Sequence, residues 1–292
     1  MLIDIHSHCY RKAIPRLPGQ DAVSRPETLL AAYDRLGVDR GCLLPLSGPE
    51  CALPCTNEDI LDIAASHPDR FIPFCNLHPY AISNTVDAPL EKLLEQYRDA
   101  GCKGVGEITV HLPFQDPYMR NLFRAIQDTG MPCTIHLTNR RGAFYGIIDE
   151  PGLPGLEETL ASFPRLKVLG HSAPFWAEIA PLATPFDRMG YPKGAVLQEG
   201  TVPKLLRKYR NLYGDLSASS GANALLRDPG YAVRFLTEFQ DRLLFGIDIA
   251  TEKAEERLPL RDFLVELKEQ GKISTEVFER ITWRNAVELL GL

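Results

Sequence analysis

The sequence predicts an α/β fold, a single-domain (β/α)8 (TIM) barrel over residues 1–292. Two observations predict it. Short apolar runs alternate with helical patterns from one end of the chain to the other, eight times over. Residues able to ligate a metal collect at the C-terminal ends of those runs, which in a parallel barrel converge on one mouth.

The strands are expected at 2–6 (LIDIH), 41–46, 70–77, 102–108, 132–137, 166–171, 211–217 and 242–248. Most are near-continuous runs of Val, Ile, Leu and Phe, as suits strands covered on both faces. Helices are expected at 26–37, 57–68, 89–101, 117–130, 156–164, 202–210, 229–240 and 260–271, with a closing stretch from Ser274. Pro26 and Pro117 open two of them, and Gly37, Gly101, Gly130 and Gly271 mark stops. Glu276 and Glu279 lie early in the last helix, where its dipole favours them. A doubly wound open sheet is the rival, but it calls for a Gly-rich first turn, and HSHCYRKAIPRLPG is not one. The long irregular segments 9–25 and 172–195 both follow strands, so they fall on the face where barrel active sites lie.

Composition narrows the partners. The chain is 45% hydrophobic and 24% charged, with a net charge of −6 and no block of like charges. Nucleic acid and anionic membrane surfaces are therefore not expected, and no apolar run has the length of a membrane span. The seven cysteines are scattered, Cys51 and Cys55 lack a second pair for a zinc knuckle, and Cys9 reads as a bystander. Reduced thiols and a first strand starting at residue 2, with no room for a signal peptide, suggest a cytoplasmic protein.

The chemistry lies at the strand ends. His6 and His8, two residues apart on the first strand, project to one face. The fourth strand carries Glu107, the fifth His136, the sixth His171 and the eighth Asp248. Imidazoles and carboxylates suit Zn2+ first, with Mn2+ or Fe2+ as alternatives. Such an ion activates water as a nucleophile, with Asp248 as general base and acid. His171 either binds a second metal or polarises the substrate. Each residue also has a structural explanation: a core histidine for His136 or His171, a helix N-cap for Asp248, an ion pair with Lys103 for Glu107. By strand parity Lys103 and Asp4 both point inward, which suggests an Asp–Lys pair beneath the site.

With these residues in place the chain resembles the amidohydrolase superfamily of metal-dependent barrels. It is most similar to the amidohydrolase-related branch that contains aminocarboxymuconate-semialdehyde decarboxylase. DIHSH, CTIHL, VLGHSAPFW and LLFGIDIA carry the likeness, in that order and over nearly the whole chain. The resemblance implies that His6, His8 and His136 bind metal, that Asp248 is a ligand and proton shuttle, and that His171 is catalytic or binds a second metal. Glu107 departs from the pattern. Many members carry a carboxylated lysine there and mononuclear branches carry no ligand, whereas a glutamate resembles the bridging carboxylate of TatD-like nucleases. One or two ions both remain open. GIDIA also lacks the Trp or Pro that commonly follows the aspartate in the decarboxylase branch. The polymerase-and-histidinol-phosphatase phosphoesterases share the opening motif, but they need further histidines soon after it, and none falls between His8 and His67.

A small-molecule substrate is expected. Asn139, Arg140 and Arg141, with Tyr145, follow the fifth strand and offer an anion-binding loop. His111 follows the fourth strand, and Phe175 and Trp176 follow the sixth as an apolar wall or a homodimer contact. The leading function is hydrolysis of a small amide, ester or lactone. The alternative is a decarboxylase or hydratase acting on an unsaturated carboxylic acid. A non-catalytic metal-binding barrel ranks below both, because the whole set of strand-end residues is present.

Overall fold

The computed structural model describes residues 1–51, 55–138, 144–253 and 258–292. Eight parallel strands form the barrel: β1 (Ile3–Ser7), β2 (Arg40–Leu43), β3 (Phe71–Pro73), β4 (Val105–Ile108) and β5 (Cys133–Thr138), then β7 (Val168–His171), β8 (Leu212–Asp215) and β9 (Leu243–Leu244). A two-residue strand, β6 (Ile147–Ile148), pairs on the outside with the end of β5. The sheet runs β1-β2-β3 and β4-β5-β7-β8-β9. Two seams close it. Cys75 pairs with Val105, and Ile5 N–H donates to Phe245 O (3.0 Å) while His8 N–H donates to Ile249 O (2.7 Å). All eight expected strands are present in the expected order, and the doubly wound alternative is excluded.

Each expected helix is present: α1 (Pro26–Leu36), α2 (Asn57–Ser66), α3 (Leu90–Asp99), α4 (Pro117–Thr129), α5 (Pro154–Ser162), α7 (Thr201–Lys208), α9 (Pro229–Glu238) and α10 (Pro259–Glu269). The closing stretch is α11 (Thr275–Glu279) and α12 (Asn285–Leu290), joined by a wider π-type turn. Ser274 caps α11, its Oγ accepting from Val277 N–H at 3.1 Å. Two further helices lie at the barrel mouth, α6 (Ala173–Ala177) and α8 (Ala218–Leu226). The sequence hides α8 because Ser219, Ser220 and Gly221 are weak helix formers. Gly221 is required by space: a Cβ there would lie 2.3 Å from Leu216 O.

Two apolar layers hold the barrel. Ile3, Ile5, Cys42, Leu44, Ile72, Phe74, Leu169 and Leu244 meet inside it, closed off by Ala286, Leu289 and Leu290 of α12. The alternate strand residues, such as Leu43, Phe71, Ile135 and Val168, pack outward against the helices. Asp4 belongs to the outer set, which corrects the parity expectation. The register shifts between Asp4 and Ser7. That shift turns Asp4 toward α1, where it accepts from Tyr33 Oη and Ser7 Oγ, both at 2.6 Å. Its other oxygen accepts from His6 N–H (3.0 Å) and Ile247 N–H (2.8 Å), and burial raises its pKa to about 6 despite these four bonds. Lys103 instead lines a shallow cavity with Arg40 and Leu292 and pairs with neither Asp4 nor Glu107.

Phe175 and Trp176 are also corrected. Both are buried, so neither is a pocket wall nor a surface for a second subunit. Ser172 takes a left-handed φ of 98° and turns α6 back onto the barrel. Phe175 then packs over Gly170, and Trp176 packs over Gly214 with its Nε1–H donating to Asp215 O (2.8 Å). Among the described residues no helix is long and apolar enough to cross a membrane, and six cysteines are free, buried thiols.

Candidate active site

The strand-end residues converge. His6 Nδ1 faces Asp215 Oδ2 at 2.7 Å, and His8 Nδ1 faces Leu44 O at 2.8 Å. Both acceptors require a proton on Nδ1, so each ring presents a bare Nε2 to the cavity, an assignment made from the hydrogen-bond network. The two Nε2 atoms lie 3.3 Å apart. Two lone pairs at that distance repel unless positive charge, a proton on His6 or a cation, lies between them. Glu107 Oε2 closes on the pair at 3.8 and 3.6 Å, and Asp248 Oδ1 at 3.8 and 3.4 Å. Donors about 2.1 Å from one tetrahedral ion stand ~3.4 Å apart. The spacing of His6, His8 and Asp248 fits a shared ion, with Glu107 beside the two imidazoles and grouped with His136 and His171 on its other side.

Charge points the same way. Burial favours neutral Glu107, Asp248 and Asp215, but the neighbouring imidazoles outweigh it and hold all three below their ordinary values. Burial likewise opposes charging His6, yet Asp215 and Asp248 raise its pKa well above the imidazole range. Three ionised carboxylates leave an excess of buried negative charge that a proton on His6 offsets only in part, and a divalent cation taking that proton's place at Nε2 would offset more of it.

His136 and His171 stand on the far side of Glu107. His136 Nδ1 lies 2.6 Å from Glu107 Oε1, a hydrogen-bond distance, so it reaches the first cluster only through that carboxylate. His171 Nε2 is 3.7 Å from Glu107 Oε1 and 3.8 Å from Asp248 Oδ2. Its Nδ1 contacts Ser217 Oγ at 3.0 Å and Asp215 Oδ2 at 3.4 Å. Burial and the charge on His6 push its pKa down to about 4, so it is neutral near pH 7.

Asp215 is the functional residue that the sequence reasoning missed. It ends β8, is fully buried, and touches both His6 and His171 while accepting from Ser217 N–H at 2.9 Å. The strand-end rule that selected the others applied equally to NLYGD.

Two cavities meet at this cluster. One, of about 250 Å3, is lined by His136, His171, Ser172, Arg188, Ser220 and Asp248 among others. The second, of about 410 Å3, is lined by His8, Arg16, Glu50, Glu107 and Asp248 among others. Tyr145 and Asp248 line both, and the Tyr145 ring packs 4.6 Å from the His136 ring. The segments 9–25 and 172–195 supply walls, as expected. Ser172, Ala218 and Asp248 all adopt positive φ, backbone strain of ~1–3 kcal/mol each concentrated at the mouth. His111 stands one layer back: its N–H donates to Glu50 Oε1 (3.2 Å), and Glu50 itself faces the cavity. Trp176 lines neither cavity, and Asn139, Arg140 and Arg141 lie outside the described residues.

Fold and site together define a (β/α)8 barrel with a histidine–carboxylate cluster at its mouth. The family model described as amidohydrolase matches residues 3–292, and the chain belongs to that family, for which a divalent metal is expected. No curated protein matches the sequence. Solved structures share the fold. 5-Carboxyvanillate decarboxylase from Sphingomonas paucimobilis is 18% identical, with a TM-score of 0.62 over 100% of this chain and 99% of that one. A probable 2-pyrone-4,6-dicarboxylic acid hydrolase from Acinetobacter baumannii, with citric acid bound, is 15% identical (TM-score 0.60; 100% and 99% covered). The 5-carboxyvanillate decarboxylase of Novosphingobium aromaticivorans, complexed with manganese and a nitrobenzoic acid, is 16% identical (TM-score 0.55; 90% and 79% covered).

Proposed function

We propose that the protein is a metal-dependent hydrolase of a small amide, ester or lactone, with one divalent ion held by His6, His8 and Asp248 and Glu107 beside them. The observation that carries this reading is the placement of Asp248. One of its oxygens faces His6 and His8 and the other faces His171 Nε2, and its side chain is 26% exposed where the two cavities meet. His6, His8, Glu107 and His171 are far more enclosed. Zn2+ is the first candidate from the donor types, and Mn2+ fits the same donors. When bound, the ion supplies Lewis acidity, polarising a substrate carbonyl and making water acidic near neutral pH.

The chain's own residues do the rest. Asp248 accepts the proton of the attacking water and returns it to the leaving group, both within its reach across the two cavities. Neutral His171 donates from Nε2 or accepts there, according to which tautomer Ser217 and Asp215 select at Nδ1. Glu107 spans the cluster and His136, keeping both in register. Asp215 and Leu44 O hold the His6 and His8 rings so that Nε2 faces inward.

Decarboxylation of a small unsaturated acid is the second reading, favoured by the decarboxylase names of two solved neighbours. A panel of lactones, amides, esters and unsaturated carboxylic acids, followed for hydrolysis and for CO2 release, separates the two. Hydrolysis lost in Asp248→Asn supports the first reading; CO2 release without hydrolysis replaces it with the second. Absence of a stoichiometric transition metal, with activity unchanged in His6→Ala and His8→Ala, overturns both.

A further inference from the structure

Three consecutive N–H groups, those of Ile247, Asp248 and Ile249, all bond to β1. Ile247 N–H donates to Asp4 Oδ1 (2.8 Å), Asp248 N–H to His6 O (2.7 Å) and Ile249 N–H to Ser7 Oγ (3.2 Å). An extended chain turns successive N–H groups to opposite sides, so it would offer only alternate ones to β1. The departure from extended geometry is at Asp248 itself, whose φ is 67°. A residue with a Cβ keeps that left-handed conformation only where its surroundings over-determine it. Here two of the three acceptors that do so are side chains.

Those two side chains act as one unit. Ser7 Oγ accepts from Ile249 N–H, so its own proton goes to Asp4 Oδ2, 2.6 Å away. Asp4 Oδ2 also accepts from Tyr33 Oη (2.6 Å), and Oδ1 accepts from His6 N–H (3.0 Å). Every one of these contacts of the carboxylate is thus with a donor, as an ionised group requires. Gly41 makes room for the link to α1, because a Cβ there would run into Tyr33 Oη. Asp4, Ser7 and Tyr33 are fully buried and line neither cavity at the mouth, so the proposed chemistry uses none of them. A charge buried behind a strand is costly, and what this one holds in place is the backbone on either side of Asp248.

We propose that Asp4 and Ser7, with Tyr33 behind them, are positioning residues that hold Asp248 in its left-handed conformation and so aim its carboxylate at His8 and His171. What Asp248 does there rests on the metal-dependent hydrolase reading, but the hold itself needs no metal. One short segment of β1 thus supplies two imidazoles of the cluster and also the clamp on their last partner.

Amide hydrogen exchange, read residue by residue by NMR on the full chain treated with chelator, tests the hold. Ile5 N–H, which donates to Phe245 O across the same seam, is the internal control. Ser7→Ala should speed exchange at Asp248 and Ile249 about tenfold, and Tyr33→Phe should speed it at Ile247 and Ile249 about threefold, with Ile5 unchanged. Unchanged exchange at residues 247–249 in both variants overturns the proposal. So does an equal rise at Ile5, which would mark a general loosening of the barrel. If Ser7→Ala fails to fold by circular dichroism, Tyr33→Phe alone decides. Zn2+ affinity, measured by competition with a chromophoric chelator, separates the hold from the metal reading. Ser7→Ala should weaken Zn2+ about tenfold in the parent but less than about twofold in Asp248→Asn, since it acts through that residue. An equal loss in both backgrounds overturns the positioning role. Exchange as expected, with Asp248→Asn binding Zn2+ as tightly as the parent, overturns the metal reading of Asp248 alone and supports the hold.

Discussion

Asp215 Oδ2 sits 2.7 Å from His6 Nδ1 and 3.4 Å from His171 Nδ1, so one fully buried carboxylate orients both rings. Asp215→Asn keeps the shape but offers a weaker acceptor, and the amide can rotate to present N–H groups instead. Outer-shell partners of this kind are worth about 10–100-fold in metal affinity. Competition with a chromophoric chelator should show a loss in that range while circular dichroism stays unchanged. Affinity equal to that of the parent would mean that Asp215 does not position the rings.

His136 meets the cluster only through its 2.6 Å contact with Glu107. With a single ion, His136→Asn should retain one equivalent of metal, whereas His6→Ala and His8→Ala should each lose it. Elemental analysis of the three variants and the parent gives the count. Two equivalents in the parent falling to one in His136→Asn would establish a second ion between Glu107, His136 and His171.

Asp228 caps α9, accepting from Tyr231 N–H (3.0 Å) and from Val196 N–H (2.9 Å), and these bonds hold its pKa below 3.8. Because the folded value is depressed, the unfolded chain binds more protons between the two values. The stabilisation is therefore complete above 3.8 and is lost as pH falls through the folded value. Asp228→Ala should cost about 1 kcal/mol at pH 7. Urea unfolding across the acid range should show this difference shrinking as pH falls below 3.8, and a difference that persisted there would contradict the linkage.

Gly221→Ala would place a Cβ against Leu216 O, a backbone atom that cannot swing away. The strain would lift α8, which carries Ser220, away from the barrel mouth. We expect a loss of about 1–3 kcal/mol in chemical unfolding. A stability within experimental error of the parent would show that the helix has room to slide.

The barrel and most of its mouth were legible in the sequence because both follow from periodicity. Apolar runs such as CTIHL and LLFGID show where strands lie, and a polar residue at the end of each shows where the mouth lies. What escaped depends on direction. Strand parity placed Asp4 inside until a register shift in β1 turned it outward. Trp176 follows a strand end and looks like a pocket wall, yet the left-handed turn at Ser172 sends it into the core. Arg188 lies 47 residues beyond Arg141 of the predicted anion-binding loop and looks like any surface arginine. Only the fold shows that it is fully buried, beside Glu178.

The seam between β1 and β9 also bears on how the chain acquires its site. Asp248 N–H donates to His6 O at 2.7 Å, so the first and last donors of the cluster are neighbours across the final joint of the ring. A chain emerging N-terminus first has its two opening histidines from the start, but it lacks their last partner until residue 248 has been made. Any truncation before that point removes Asp248 and leaves the ring open. The donor set is thus completed only together with the barrel, so tight metal uptake would mark a ring that has closed.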